Sequence, residues 1–164
     1  MVKKGLTLLE VLIALFLMAI VIAGGLLLMS GNLNIMKKSN ELTIASALMQ
    51  YMVEDVKNID FPPVYYDKQN QFGDRPTNGS IYKSPEQIDL KQDGNDWTPD
   101  IYKNDFIVKK FDFRYDSSGN FLSDATLSDT DRTQLHRIDI YILRKRGSYV
   151  LLKQTIYRSR DGIY

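Results

Sequence analysis

Residues 11–29 form an unbroken run of nineteen uncharged, mostly apolar residues, and Glu10 stands immediately before it. About 20 apolar residues suffice for a helix to span the hydrocarbon layer of a bilayer, so this run constrains the fold more than any other part of the chain. The carboxylate at its head is the costly element. A charged side chain held in lipid costs about 2.5–3.5 kcal/mol even on the lenient insertion scale, and chains that keep one there usually use it. Lys3 and Lys4 precede it, a short positive flank that would hold the first residues on the cytoplasmic side.

Three readings compete for this segment. A conventional secretory signal would carry an apolar core and then a small-residue cleavage site, and Val21-Ile22-Ala23 could pass as one. The apolar run continues past it through Leu26-Leu27-Leu28-Met29. A plain signal anchor accounts for the length but not for Glu10, which could then only snorkel to the interface. The third reading accounts for Gly5, the brief basic leader and Glu10 together. The stretch from Met1 to Glu10, with Gly5-Leu6-Thr7-Leu8-Leu9-Glu10 at its heart, resembles the start of a type IV pilin or type II secretion pseudopilin precursor.

That resemblance implies a processing route. A membrane prepilin peptidase would cut after Gly5 and methylate the new amino group of Leu6. Pilins more often carry Phe or Met at that position. A free α-amine has a pKa near 8, about, and is largely cationic at neutral pH. The resemblance implies that Glu10 of an incoming subunit pairs with the first-residue amine of a neighbour in the filament, each satisfying the other in a low-dielectric bundle. The implied partners are the peptidase, other pilin or pseudopilin subunits, an inner-membrane assembly platform, and membrane lipid before assembly. The implied location is the cytoplasmic membrane, as a single-pass protein with its C-terminal part outside the cytoplasm, then a surface or periplasmic filament.

At 164 residues the chain has room for one ordinary domain beyond the apolar segment. Without Lys3 and Lys4 its 21 basic side chains fall to 19 against 20 acidic ones. The sign is unevenly spread: residues 86–131 hold 11 acidic and 5 basic side chains, residues 135–164 hold 7 basic and 2 acidic. Such polarity suits head-to-tail contacts between subunits, and equally a solvated surface. There is no cysteine, which excludes disulfides and Cys-based zinc sites. Many pilins close a C-terminal loop with a disulfide, and this chain departs from them.

Beyond the apolar run, Leu42, Ala45, Met49, Met52, Val56 and Ile59 recur at spacings of three and four, an amphipathic helix stripe. Pro62-Pro63 stops the pattern. A helix over 6–60 would be roughly 80 Å long at 1.5 Å per residue. Gly24-Gly25 and Ser30-Gly31-Asn32 are weak helix formers within it, usable either for bending or for close helix packing. No proline falls in the membrane half, where major pilins commonly carry one.

Residues 62–105 are rich in turn signals and lack strong periodicity, although Tyr65, Tyr66, Phe72, Tyr82, Trp97 and Tyr102 argue against disorder. So long a connection points to a functional or mobile loop. In the pilin fold the helix-to-sheet connection varies most and often lies at subunit contacts, which makes this loop the expected partner-specific surface. Strand alternation follows in Phe111, Phe113 and Tyr115, in Ile138, Ile140 and Ile142, and in Val150, Leu152 and Ile156. The expectation is an antiparallel sheet with one apolar face, covered by the helix stripe.

No catalytic constellation is present, and the expectation is a non-enzyme without cofactor or metal. His136, the only histidine, reads as a sheet-edge packing residue. Asp89, Asp93, Asp96 and Asp100 offer oxygen ligands for calcium, but at no EF-hand spacing. Asp124, Asp129 and Asp131 read as a solvated turn. Arg144-Lys145-Arg146 at a hairpin tip could grip DNA phosphates, or simply protect a sheet edge.

The expected architecture is therefore α+β and pilin-like: a long N-terminal helix, its first half transmembrane, packed on a small C-terminal antiparallel sheet. Its parts are a leader at 1–5, a membrane and polymerisation helix at 6–29, an amphipathic helix at 30–61, a variable loop at 62–105 and the sheet at 106–164. The expected function is a structural subunit, minor rather than major, of a pilus, pseudopilus or competence filament. Minor status is favoured by the missing helix proline, the missing disulfide and a resemblance of the stretch from Ala47 to Phe61 to minor-pilin helices. The rival is a membrane-anchored or tip-displayed adhesin or DNA receptor.

Overall fold

The computed structural model describes residues 7–59, 72–78, 81–123, 135–159 and 162–163. The chain divides into two compact units, Met1–Thr43 and Ile44–Tyr164. One helix, α1 (Leu8–Lys57), belongs in part to each.

In the first unit the apolar side chains from Leu8 to Met36 are exposed on every face of the helix. Among the described residues they have no partner layer, and the helix is long and apolar enough to cross a membrane. It runs unbroken through Gly24-Gly25 and Ser30-Gly31-Asn32. A Cβ added at Gly24, Gly25 or Gly31 would meet only open space, so no packing among the described residues requires those glycines.

In the second unit a four-stranded antiparallel sheet has the order β3-β4-β5-β6, formed by Phe106–Tyr115, Leu135–Arg144, Val150–Ser159 and Gly162–Ile163. A separate two-stranded hairpin pairs β1 (Thr77–Asn78) with β2 (Ile81–Tyr82). The helix covers one face of the large sheet through Ala45, Leu48, Met49, Met52 and Val56, which pack on Val108, Ile138, Ile140, Ile142 and Ile156. Spacings of three and four put these five residues on one side of the helix. Burying each of the larger ones contributes about 1.5–3 kcal/mol. The stripe is shifted from the expected one: Leu48 is buried, while Leu42 falls in the first unit and is 46% exposed.

The sheet has two apolar faces rather than one. Phe111, Phe113, Tyr141 and Leu143 point away from the helix and form a second core with Ile88, Leu90, Ile107, Tyr115 and Phe121. Alternation with period two assigns Phe111 and Phe113 to the opposite side from Ile138 and Ile140 once the register pairs Lys110 with Ile140. The second cover comes from the stretch expected to be a variable loop. Asp74 joins β3 as an isolated parallel bridge to Phe111, and Trp97 N–H donates to the Val108 carbonyl at 2.8 Å. Asp74 accepts hydrogen bonds from Asn95 and, at 3.2 Å, from the Trp97 indole. These bonds close the outer edge of β3, which would otherwise present unpaired groups. Two glycines permit the approach. Gly73 and Gly94 have φ of 147° and 77°, and a Cβ at either would lie under 3.0 Å from Lys110 main chain or the Phe111 ring.

The third strand also departs from simple alternation. The pairing shifts between Ile142 and Leu143, so that Leu152 faces Ile142 but Val150 faces Leu143. This bulge lets Leu151 and Leu152 both pack on the helix-side core and leaves Val150 exposed.

Candidate functional site at the head of the helix

Of the expected processing residues, Gly5 and Leu6 lie outside the described residues. Glu10 is in the first turn of α1, and the sequence reading missed its partner. The Thr7 amide and hydroxyl donate to Glu10 Oε2 at 3.1 and 3.2 Å, and the Glu10 amide donates to Thr7 Oγ1 at 3.4 Å. This is a reciprocal capping box, in which two otherwise unsatisfied helix-start donors find acceptors. The signal was legible as Thr7-x-x-Glu10 ahead of an apolar run. A carboxylate here also faces the positive end of the helix dipole, worth about 0.3–1 kcal/mol. Among the described residues only Oε2 accepts these bonds; Oε1 remains open to a further donor. The cap uses atoms of Thr7 and Glu10 alone, so it requires nothing N-terminal to Thr7.

The other polar residues singled out are occupied structurally. His136 lies on β4, a central strand rather than a sheet edge, and is 1% exposed. Its Nδ1 is 2.7 Å from Asp112 Oδ1, and its ring stacks on Phe72 at 4.9 Å. Arg114 Nε donates to the other Asp112 oxygen at 3.0 Å. Burial alone would raise the Asp112 carboxyl, but His136 and Arg114 outweigh it and lower the pKa to about 2. Beside them Arg158 donates to the main-chain carbonyls of Val56, at 2.8 Å, and Ile59, closing the C-terminal end of α1. Lys110 reaches Asp55 on the helix at 3.0 Å. This inlay ties the sheet to the last turn of the helix.

The carboxylates of the four aspartates considered for calcium are each engaged by other groups, the Asp89 amide donating to Asp93 Oδ2 at 2.8 Å among them. Asp93 is gripped by Lys83 at 2.7 Å, Asp96 caps Thr98, Asp100 pairs with Lys103, and Asp89 accepts from the Lys91 amide. Among the described residues no group of three or more such side chains is placed to hold a metal. Asp124, Asp129 and Asp131 lie outside the described residues. Lys145 and Arg146 form the exposed β4–β5 turn, with Lys145 Nζ donating to the Lys103 carbonyl at 2.6 Å.

Residues 1–26 match the prokaryotic N-terminal methylation motif. No curated protein and no solved structure matches the chain. The matched segment ends inside the apolar helix and contains both Glu10 and its Thr7 partner. An α+β fold of the pilin kind follows, a long apolar helix and a small antiparallel sheet. The chain thus carries, over its first 26 residues, the prepilin-type signal of type IV pilins and pseudopilins, at the head of a helix long and apolar enough to cross a membrane.

Proposed function

We propose that this chain is a minor structural subunit of a type IV pilus-like or type II secretion pseudopilus filament. A prepilin peptidase hydrolyses the amide bond after Gly5 and methylates the freed amine of Leu6. The observation that carries this reading is the methylation motif over residues 1–26, with Glu10 as its only acidic residue.

The apolar surface of α1 is the polymerisation device. It is exposed within the chain, so lipid covers it before assembly and the helices of other subunits cover it afterwards. Glu10 orients that exchange. The methylated amine of Leu6 on a neighbouring subunit is cationic, and pairing it with Glu10 relieves two buried charges at once. Thr7 supports this pairing by holding Glu10 Oε2 in the cap, which fixes the rotamer and leaves Oε1 for the incoming amine. Thr7 is a positioning residue, and Glu10 the contact residue. The absence of a proline in the membrane half and of any disulfide supports a minor rather than a major subunit.

The test is the intact mass of the protein purified with and without a co-expressed prepilin peptidase. The expected product begins at N-methyl Leu6 only when the peptidase is present. A chain that keeps residues 1–5 in both preparations, or is cut after Ala23, overturns the processing step and the filament reading with it.

A further inference from the structure

The end of the sheet unit at which the chain enters it carries a basic and partly apolar surface. Its place follows from contacts inside that unit. Arg158 holds Val56 and Ile59, and β5 pairs Arg158 with His136, which faces Arg114. The C-terminal end of α1 therefore points to the 114/136/158 end of the sheet. Its earlier turns, from Ala45 and Leu48, run toward the opposite end, where Phe106 pairs with Arg144 and β4 turns into β5.

At that end two segments are joined. The Lys145 amide donates to the Asp105 carbonyl at 2.9 Å and its ammonium to the Lys103 carbonyl at 2.6 Å. The joint surface presents Lys103, Arg144, Lys145 and Arg146, together with Ile101 (80% exposed) and Tyr149 (46% exposed). Asp96, Asp100 and Asp105 offset part of this charge, Asp100 lying 2.6 Å from the Lys103 ammonium, and leave the Arg144-Lys145-Arg146 turn as the basic centre. Ile101 is the most exposed large apolar side chain of the sheet unit among the described residues. Cations interleaved with an aliphatic and a tyrosine suit the headgroup region of an anionic bilayer, where aromatic rings and Lys/Arg both concentrate.

We infer that this end of the sheet unit, centred on Arg146, Ile101 and Tyr149, docks on anionic lipid headgroups of the membrane in which the apolar helix is anchored. The inference rests on that anchoring. The uncharged apolar run ends at Met29 and Ile44 opens the sheet unit, so the chain between them is short. Even fully extended, that connection reaches less than about 55 Å. Docking would hold the sheet unit on the bilayer before extraction, and would be given up when the subunit enters a filament.

Because the chain has no cysteine, Ile101→Cys and, at the opposite end, Ser118→Cys can each carry a single fluorophore in the full-length protein. The labelled chain is reconstituted into vesicles of phosphatidylcholine, with or without phosphatidylglycerol, and quenching by a headgroup-labelled nitroxide lipid is read. The expected result is strong quenching at position 101 only with phosphatidylglycerol, weak quenching at 118, and relief by salt. Removing one basic residue near an anionic surface lowers the docked population about fivefold, the effect expected for Arg146→Gln. Arg146 lies in an exposed turn, and an unchanged thermal midpoint verifies that the variant is folded. Equal quenching at 101 and 118, or no difference between the two lipid mixtures, overturns the inference while leaving the anchor intact. A chain that fails to float with vesicles overturns the anchor and the docking together. Arg146-dependent binding of a short DNA duplex, with position 101 quenched no more than 118, overturns it in favour of nucleic acid.

Discussion

At the scale of single residues the buried trio of Asp112, His136 and Arg114 decides more than its position in a strand suggests. The Asp112 carboxyl titrates near about 2 in the folded protein, below the ordinary value of 3.8. A depressed carboxylate stabilises the fold fully above its unfolded value and loses that contribution as the pH falls toward the folded value. Acid titration of the unfolding free energy should therefore lose about 2 kcal/mol between about pH 4 and pH 2. Asp112→Asn should remove that slope and cost about 3 kcal/mol at neutral pH, because it takes one charged member out of a buried, hydrogen-bonded charge cluster. Denaturant midpoints across pH measure both. Gly73 offers a test free of charge. A Cβ there would lie 2.8 Å from the Lys110 main chain at a φ no other residue adopts readily, so Gly73→Ala should destabilise by about 2–4 kcal/mol.

At the scale of elements, the helix and the sheet are held by a stripe and by a clamp at one end. Leu48 is 2% exposed and Leu42 is 46% exposed, although both fit a helical repeat. Leu48→Ala should cost about 2–5 kcal/mol, as large-to-small changes in cores do. Leu42→Ala should stay within about 0.5 kcal/mol in the same thermal melts. The clamp is Arg158, whose guanidinium satisfies carbonyls that the helix cannot satisfy itself. Arg158→Ala should cost about 1–3 kcal/mol and expose the last turn of α1 to faster amide exchange.

At the scale of the whole molecule, the two units differ in how they are covered. The sheet unit buries its own cores, whereas the apolar first half of α1 is exposed among the described residues, and under the proposed function lipid or other subunits cover it. Glu10→Leu should therefore leave membrane insertion and sheet stability untouched and abolish recovery of the chain in sheared filaments. Thr7→Ala should act in the same direction but less strongly. It loses a cap worth about 1 kcal/mol, about fivefold in assembled fraction. Comparing membrane and filament fractions for the two variants separates the contact residue from the one that positions it.

The apolar helix, the carboxylate at its head and the presence of alternating strands were all determined by the sequence alone. Each is a local pattern: length of an apolar run, spacing of three and four, or period two. The Thr7 cap was legible as well, since its partner is three residues away. What the tertiary structure decided are matters of distant pairing. Period two says that Phe111 and Ile140 each face one side of a sheet, but only the register between β3 and β4 puts them on opposite sides. Likewise the turn-rich stretch gives no periodic signal, because Asp74, Gly94 and Trp97 are held to β3 by isolated contacts rather than by a repeat. His136 became a buried partner of Asp112 for the same reason: whether a strand lies at the edge or the centre depends on residues far away in the chain.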